Sequence, residues 1–210
     1  MVRKATLLRI SLRGLIVLFT VICLWLGKVS IDARSQKNAA ARVVELGGNV
    51  NYDWEEPVFD VVTGNDIYPS GPYAPAWLRS LIGDDYFQKV VSIDCNGKKF
   101  DATLLEDLPH LRLVSLIACD IKDLSSFSHL TELQYLSVRE NQIADLSPLA
   151  SLHNLVMLDV SDNQIVDCAP LHDLKRLDQL DIQNNPIDQN QLDMLDAALP
   201  NTGKTWSSPK

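Results

Sequence analysis

Cysteine is scarce in this 210-residue chain, and no two of Cys23, Cys95, Cys119 and Cys168 form a CxxC pair. That spacing excludes both the disulfide framework of a small secreted domain and a thiolate zinc module. Basic charge is short as well: 19 Lys and Arg stand against 27 Asp and Glu, a net charge of -8. Gripping a phosphate backbone requires clustered Lys and Arg, so nucleic-acid binding is excluded. The motifs of covalent and phosphate chemistry are missing: there is no GxSxG elbow, no SxxK pair and no GxxxxGK[ST] loop. Acidic phrases such as Asp159 to Gln164 lack the glycine and closing glutamate of a calcium loop. His110, His129, His153 and His172 fall at differing offsets outside the expected strands and do not converge as metal ligands. No catalytic residue, metal site or cofactor is assigned.

With 46% hydrophobic residues, the chain is not disordered as a whole. Its charge is divided: residues 1–42 carry a net +7 and residues 43–210 a net -15. Arg3, Lys4, Arg9 and Arg13 precede a run from Gly14 to Gly27 that is apolar or small apart from Thr20. No polar face interrupts the run, which predicts a membrane segment rather than an amphipathic helix. Fourteen helical residues cover about 21 Å, so Arg13 and Lys28 must snorkel for Ile10 to Ile31 to span a bilayer. The residues after Gly27 make a poor cleavage site, which favours a retained anchor over a removed signal. A short basic head predicts a cytoplasmic N-terminus and an acidic body outside the inner membrane.

Helix formers fill Asp32 to Leu46, and Gly47-Gly48 supplies a stop, so a stalk helix is expected, with Ala33, Lys37, Ala40, Val44 and Gly47 on its apolar side. Alternation over Val50, Tyr52 and Trp54, and again over Val58 to Val62, predicts short strands separated by Pro57. Residues 63–75 read as an ordered turn-rich loop, and Ala76 to Ile82 as a short helix covering the first edge of the C-terminal body.

Four segments then align at a period of 22, beginning at Leu111, Leu133, Leu155 and Leu177, behind a shorter copy from Val90. Positions 1, 4, 6 and 11 of all five copies are apolar, for example Leu133, Leu136, Val138 and Ile143. Position 9 reads Lys98, Cys119, Asn141, Asn163 and Asn185. Period 2 puts positions 4 and 6 of each strand inward, and stacking neighbouring copies buries what one copy alone cannot. An Asn at the strand exit has donors and an acceptor for turn backbone, so Asn141, Asn163 and Asn185 are expected to form a structural ladder. Towards the C-terminus, Leu192, Leu195 and Leu199 take helical spacing, predicting a capping helix from Asp188 to Pro200.

The last four copies match LxxLxLxxN/CxL, and the chain resembles the leucine-rich repeats of the bacterial, internalin-like 22-residue class. That resemblance covers residues 90–200. It implies an α/β solenoid, an arc with parallel strands on the concave side, here preceded by an N-terminal transmembrane helix and a small α+β cap. The layout also resembles small membrane-anchored leucine-rich-repeat proteins of planctomycete bacteria, which implies an interaction module and no known reaction. The expected organisation is a basic head and anchor (1–31), a stalk or linker (32–48), an N-terminal cap region (49–89), the repeat domain (90–200) and a flexible tail (201–210).

Function is expected on the outward strand positions. Leu113, Ile117, Tyr135 and Met157 form an apolar patch, with Asp159 and Asp181 beside it, Gln179 at its edge and Arg139 its single cation. Apolar and aromatic residues rimmed by charge predict capture of a protein or peptide. The alternative is an envelope-structural protein whose solenoid packs against copies of itself.

Overall fold

The computed structural model describes residues 12–55, 58–60, 65–67, 71–72 and 74–206. The start of the basic head, Pro57, Val61–Val62, most of the 63–75 loop and residues 207–210 lie outside the described residues. Element order begins with a long helix, α1 (Leu12–Glu45), then β1 (Asn49–Tyr52), a hairpin of β2 (Val58–Asp60) and β3 (Asn65–Ile67), and α2 (Ala76–Ile82). The repeats contribute β4 (Val90–Asp94), β5 (Leu113–Ser115), β6 (Tyr135–Ser137), β7 (Met157–Asp159) and β8 (Gln179–Asp181). The chain closes with α3 (Gln189–Ala198) and β9 (Gly203–Thr205).

Each inward pair of strand residues has nowhere dry to go except against the next copy, and the strands stack accordingly. One seven-stranded sheet runs β1-β4-β5-β6-β7-β8-β9, parallel throughout except for the antiparallel pairing of β1 with β4. The register is constant, with Val114, Leu136, Leu158 and Leu180 in one inward row. Together with Leu116, Val138, Val160 and Ile182 they are buried. The returns close as 3-10 segments, six residues long in the first copy and three in the next three, burying Leu105, Phe127, Leu149 and Leu171 from the other side.

Backbone left over by so short a strand is satisfied by side chains. Asn163 Oδ1 accepts from the Ile143 N–H (2.9 Å), and its Nδ2 donates to the carbonyls of Val138, Val160 and Ser161 (3.0–3.1 Å). Asn141 and Asn185 repeat the arrangement. Cys119, in the ladder position of the first full copy, keeps the donor half: its thiol lies 2.7 Å from the Cys95 carbonyl. Lys98 lies on the surface and takes no part. Just before the ladder, position 8 of every copy is left-handed: Gly97, Ala118, Glu140, Asp162 and Asn184 have φ between 55° and 67°. Each 3-10 turn opens on an aspartate that accepts the N–H two residues on: Asp101, Asp123, Asp145 and Asp167.

Several expectations are corrected. Residues 32–45 are not a separate stalk. They continue α1, and the side that packs on the solenoid is Ala33, Gln36, Ala39, Ala40 and Val43, whereas Lys37 and Val44 face water. The helix turns against the sheet because β1 needs an antiparallel place beside β4, and Gly47 (φ 79°) followed by Gly48 makes the reversal. A Cβ on Gly48 would stand 2.6 Å from the Asp94 carbonyl, so no other residue fits. Buried Gln36 is satisfied at both ends, donating to the Gln88 carbonyl (2.9 Å) and accepting from the Val90 N–H (3.0 Å). The first edge is therefore covered by α1 and β1, not by α2, none of whose residues is buried. Residues 65–67, read as turn material, form β3.

The expected loose tail from residue 201 is a sixth parallel strand in its described part. Gly203, Lys204 and Thr205 pair with β8, and the Thr202 hydroxyl donates to the Leu177 carbonyl (2.6 Å). Lys204 occupies the inward position opposite Leu180, its side chain 5% exposed, its stem over the core and its ammonium on Asp196 of α3 (2.9 Å). Trp206 packs on the core two residues later. A lysine at the inward position hid this strand from the apolar pattern.

Candidate functional site

Pleating sends the residues between the inward rows to the opposite face of the sheet. There Leu113, Tyr135, Met157 and Gln179 stand side by side in register, and two residues on run Ser115, Ser137, Asp159 and Asp181. Neighbours in each row are about 4.8 Å apart by strand spacing. Leu113 is 42% and Met157 37% exposed, with half-buried Tyr135 between them. Ile117, four residues past Leu113, is half-buried beyond the strand end, its N–H held by Asn96 Oδ1 (2.8 Å). The sequence-defined patch is thus a row of three residues with Ile117 set apart.

The acidic row is partly committed. Asp159 Oδ1 accepts from the Ser161 N–H and hydroxyl (3.0 and 2.6 Å), and Oδ2 lies 3.4 Å from the Ser137 hydroxyl. Asp181 Oδ1 accepts from the Gln183 N–H (3.0 Å). Carboxylates have about four acceptor sites each, so both retain capacity towards solvent. Arg139 does not neutralise them: its guanidinium is turned away to Asp162 (3.1 Å) and Glu140 (2.9 Å). A shallow hollow of about 540 Å³ opens over Tyr135, Met157, Asp159, Gln179, Asp181 and Thr205. Thr205, supplied by β9, was missed by sequence reasoning, since its strand carried no apolar signal.

The reactive residue types sit elsewhere and are structurally engaged. Burial pushes the Cys95 and Cys119 thiols up, and Cys168 up to about 11, with Asp167 and Asp188 adding to the effect. Such thiols stay protonated at neutral pH and behave as small hydrophobes. His110 Nδ1 lies 2.9 Å from Glu132 Oε1, and that hydrogen bond holds the Glu132 carboxyl below its ordinary value. His129 Nε2 meets the Leu105 carbonyl at 3.2 Å, tying neighbouring returns together. Among the described residues, no group of three or more His, Cys, Asp or Glu is placed to hold a metal ion.

A strand ribbon on a stacked 22-residue repeat, with an Asn ladder and 3-10 returns, defines a leucine-rich-repeat solenoid. The comparisons place it further. Residues 153–197 match the family model for leucine rich repeats (2 copies). An internalin from Listeria monocytogenes is similar at 26% identity, over 54% of this chain and 33% of its own, with a TM-score of 0.50. Internalin C2 of the same organism is 29% identical over 55% of this chain and 52% of its own, with a TM-score of 0.46. The leucine-rich-repeat ectodomain of a receptor kinase from Arabidopsis thaliana shares the fold at 15% identity, over 83% of this chain and 93% of its own, with a TM-score of 0.51. The chain spans between a third and about half the length of the two internalins. No curated protein matches it. The repeat body is a leucine-rich-repeat solenoid similar to that of a bacterial internalin, a fold whose usual work is binding other proteins.

Proposed function

We propose that this is a membrane-anchored, non-catalytic binding protein that captures a protein or peptide on its strand face. The carrying observation is the register row of Leu113, Tyr135 and Met157, in which Leu113 and Met157 are exposed on either side of half-buried Tyr135, with Asp159 and Asp181 one pleat away. A segment that seats apolar side chains on that row and a Lys or Arg over the two carboxylates matches it in polarity and charge. Arg139 lies beyond the end of β6, and Gln179 and Thr205 border the hollow on its β8 and β9 side.

The anchor is the apolar part of α1. It is long and apolar enough to cross a membrane, with mean hydropathy 2.0 over its best window, and none of that window is buried in the protein. An exposed apolar helix surface of this length needs lipid around it. With a short basic head before the apolar run, the N-terminus faces the cytoplasm and the solenoid lies outside the inner membrane.

A photo-crosslinking residue at Met157, with a second at Lys122 on the return side as control, tests the reading in intact cells. A crosslink to another protein from position 157 alone is expected, with loss of the adduct in the Tyr135→Ala variant at unchanged melting temperature. Equal crosslinking from both positions would defeat the strand-face assignment. A crosslink only to a second copy would favour the self-associating structural protein.

A further inference from the structure

We infer that α2 is a second, shallow membrane contact: a foot resting in the headgroup region of the same bilayer that α1 crosses. The inference rests on the anchor reading and extends it. The starting observation is an imbalance. Helix α2 is seven residues long, contains Trp77, Leu78, Leu81 and Ile82, and buries none of them. Trp77 is 68% and Leu81 73% exposed, and a separation of four puts them on one face. A helix this short is marginal in water on its own. Leu78 alone of its apolar residues is half-buried.

Its position says what does. Tyr86, four residues after α2 ends, holds its hydroxyl 2.9 Å from the Ser30 hydroxyl on α1. Ser30 lies three residues beyond Gly27, where the apolar run stops, about 4.5 Å along the helix axis. The neighbours of Tyr86 meet α1 further along, Asp85 at Lys37 and Gln88 and Val90 at Gln36. The turn that follows α2 is therefore tied to α1 between Ser30 and Lys37, within about 15 Å of the end of the apolar run, and the foot places α2 on its membrane side. Ile31, exposed on α1 at the same level, adds to the apolar surface.

Charge here is mixed. The two carboxylates after α2 are both countered, Asp85 by Lys37 (2.7 Å) and Asp84 by Arg79 (3.6 Å), while Asp32 stays exposed on α1. Lys28 and Arg34 project from α1 into solvent, free to meet lipid phosphates. Tryptophan with aliphatic neighbours, flanked by cations, is the composition that settles at the boundary of headgroups and acyl chains. One bilayer thus accounts for both exposed apolar surfaces of the N-terminal region.

The test is depth-resolved quenching of tryptophan fluorescence in the full chain, reconstituted in phosphatidylcholine–phosphatidylglycerol vesicles. Lipids brominated near the glycerol report shallow contact; lipids brominated near the chain end report deep contact. Comparison with Trp77→Phe isolates the Trp77 signal, and Trp25 inside the apolar run reports the anchor. Shallow quenching of the Trp77 component is expected, lost in Leu81→Glu/Ile82→Glu, a variant that leaves every buried residue in place. Deep quenching of Trp25 with Trp77 open to aqueous iodide would overturn the foot and leave the anchor standing. Absence of lipid quenching at both would bring down the anchor reading and the foot with it. Protection of Trp77 that rises with protein concentration and not with lipid would overturn the foot and assign α2 to contact between copies.

Discussion

Asn163 shows how much of this fold hangs on single polar side chains. One amide satisfies a turn N–H and three carbonyls from two neighbouring copies in a nearly dry site. Asn163→Ala leaves those groups without partners and is expected to cost about 1–3 kcal/mol. Asn163→Asp keeps the acceptor but aims a carboxylate at three carbonyls, so it should melt lower still. Thermal denaturation of both checks the order, and an Asp variant as stable as wild type would mean the amide donors contribute little. Position 8 shows the opposite economy. Gly97, Asp162 and Asn184 suit a left-handed backbone, yet Ala118 and Glu140 hold the same φ, at about 1 kcal/mol or more each. Stacking on both sides enforces the shape against local preference.

At the scale of elements, the acidity of the body has a structural explanation. Aspartates open each 3-10 return, and hydrogen bonds from Thr103, Ser125 and Ser147 hold the carboxyls of Asp101, Asp123 and Asp145 below their ordinary value. A carboxyl whose folded pKa lies below its unfolded one, about 3.9, stabilises the fold fully above that value and loses the contribution as pH falls through the folded pKa. Denaturant unfolding should therefore weaken between about pH 5 and about pH 2. Asp123→Asn with Asp145→Asn should flatten that slope by lowering the neutral-pH midpoint towards its acid value. An identical acid slope in the double variant would show that other groups drive it. The returns are thus capped by charge on the outside and by Phe127, Leu149 and Leu171 on the inside.

For the molecule as a whole, the continuity of α1 matters most. Its first half is the apolar segment, and its second half, through Ala39, Ala40 and Val43, is the end plate of the solenoid. Ala33, the first buried position, comes just over one helical turn after Lys28, so the solenoid begins directly beyond the apolar segment rather than on a tether. A chain beginning at Lys28 should unfold in one cooperative transition. A chain beginning at Asn49 should lose about 3–5 kcal/mol, because Val43, the two alanines and the doubly bonded Gln36 leave the first strand uncovered. Coincident melting curves would show that α1 merely rests on the repeats. The opposite end is closed differently, by α3 together with β9 and the stem of Lys204.

The repeat was legible in the amino-acid sequence because its signal is local and recurs: one period of 22 specifies the strand, the inward pair, the ladder amide and the return. The outward residues Leu113, Tyr135, Met157, Asp159 and Asp181 could be named for the same reason, since register between identical copies is set by the period. Contacts outside the period were decided only in three dimensions. Lys204 reads as polar and exposed until β9 is seen stacked on β8, and the packed side of α1 is chosen by the shape of the Val90 strand. The exposure of Trp77 likewise shows only in the folded chain, where α2 buries none of its residues. Each is a contact between segments that share no pattern, so its energy lies in the fit of distant parts and leaves no trace in either segment alone.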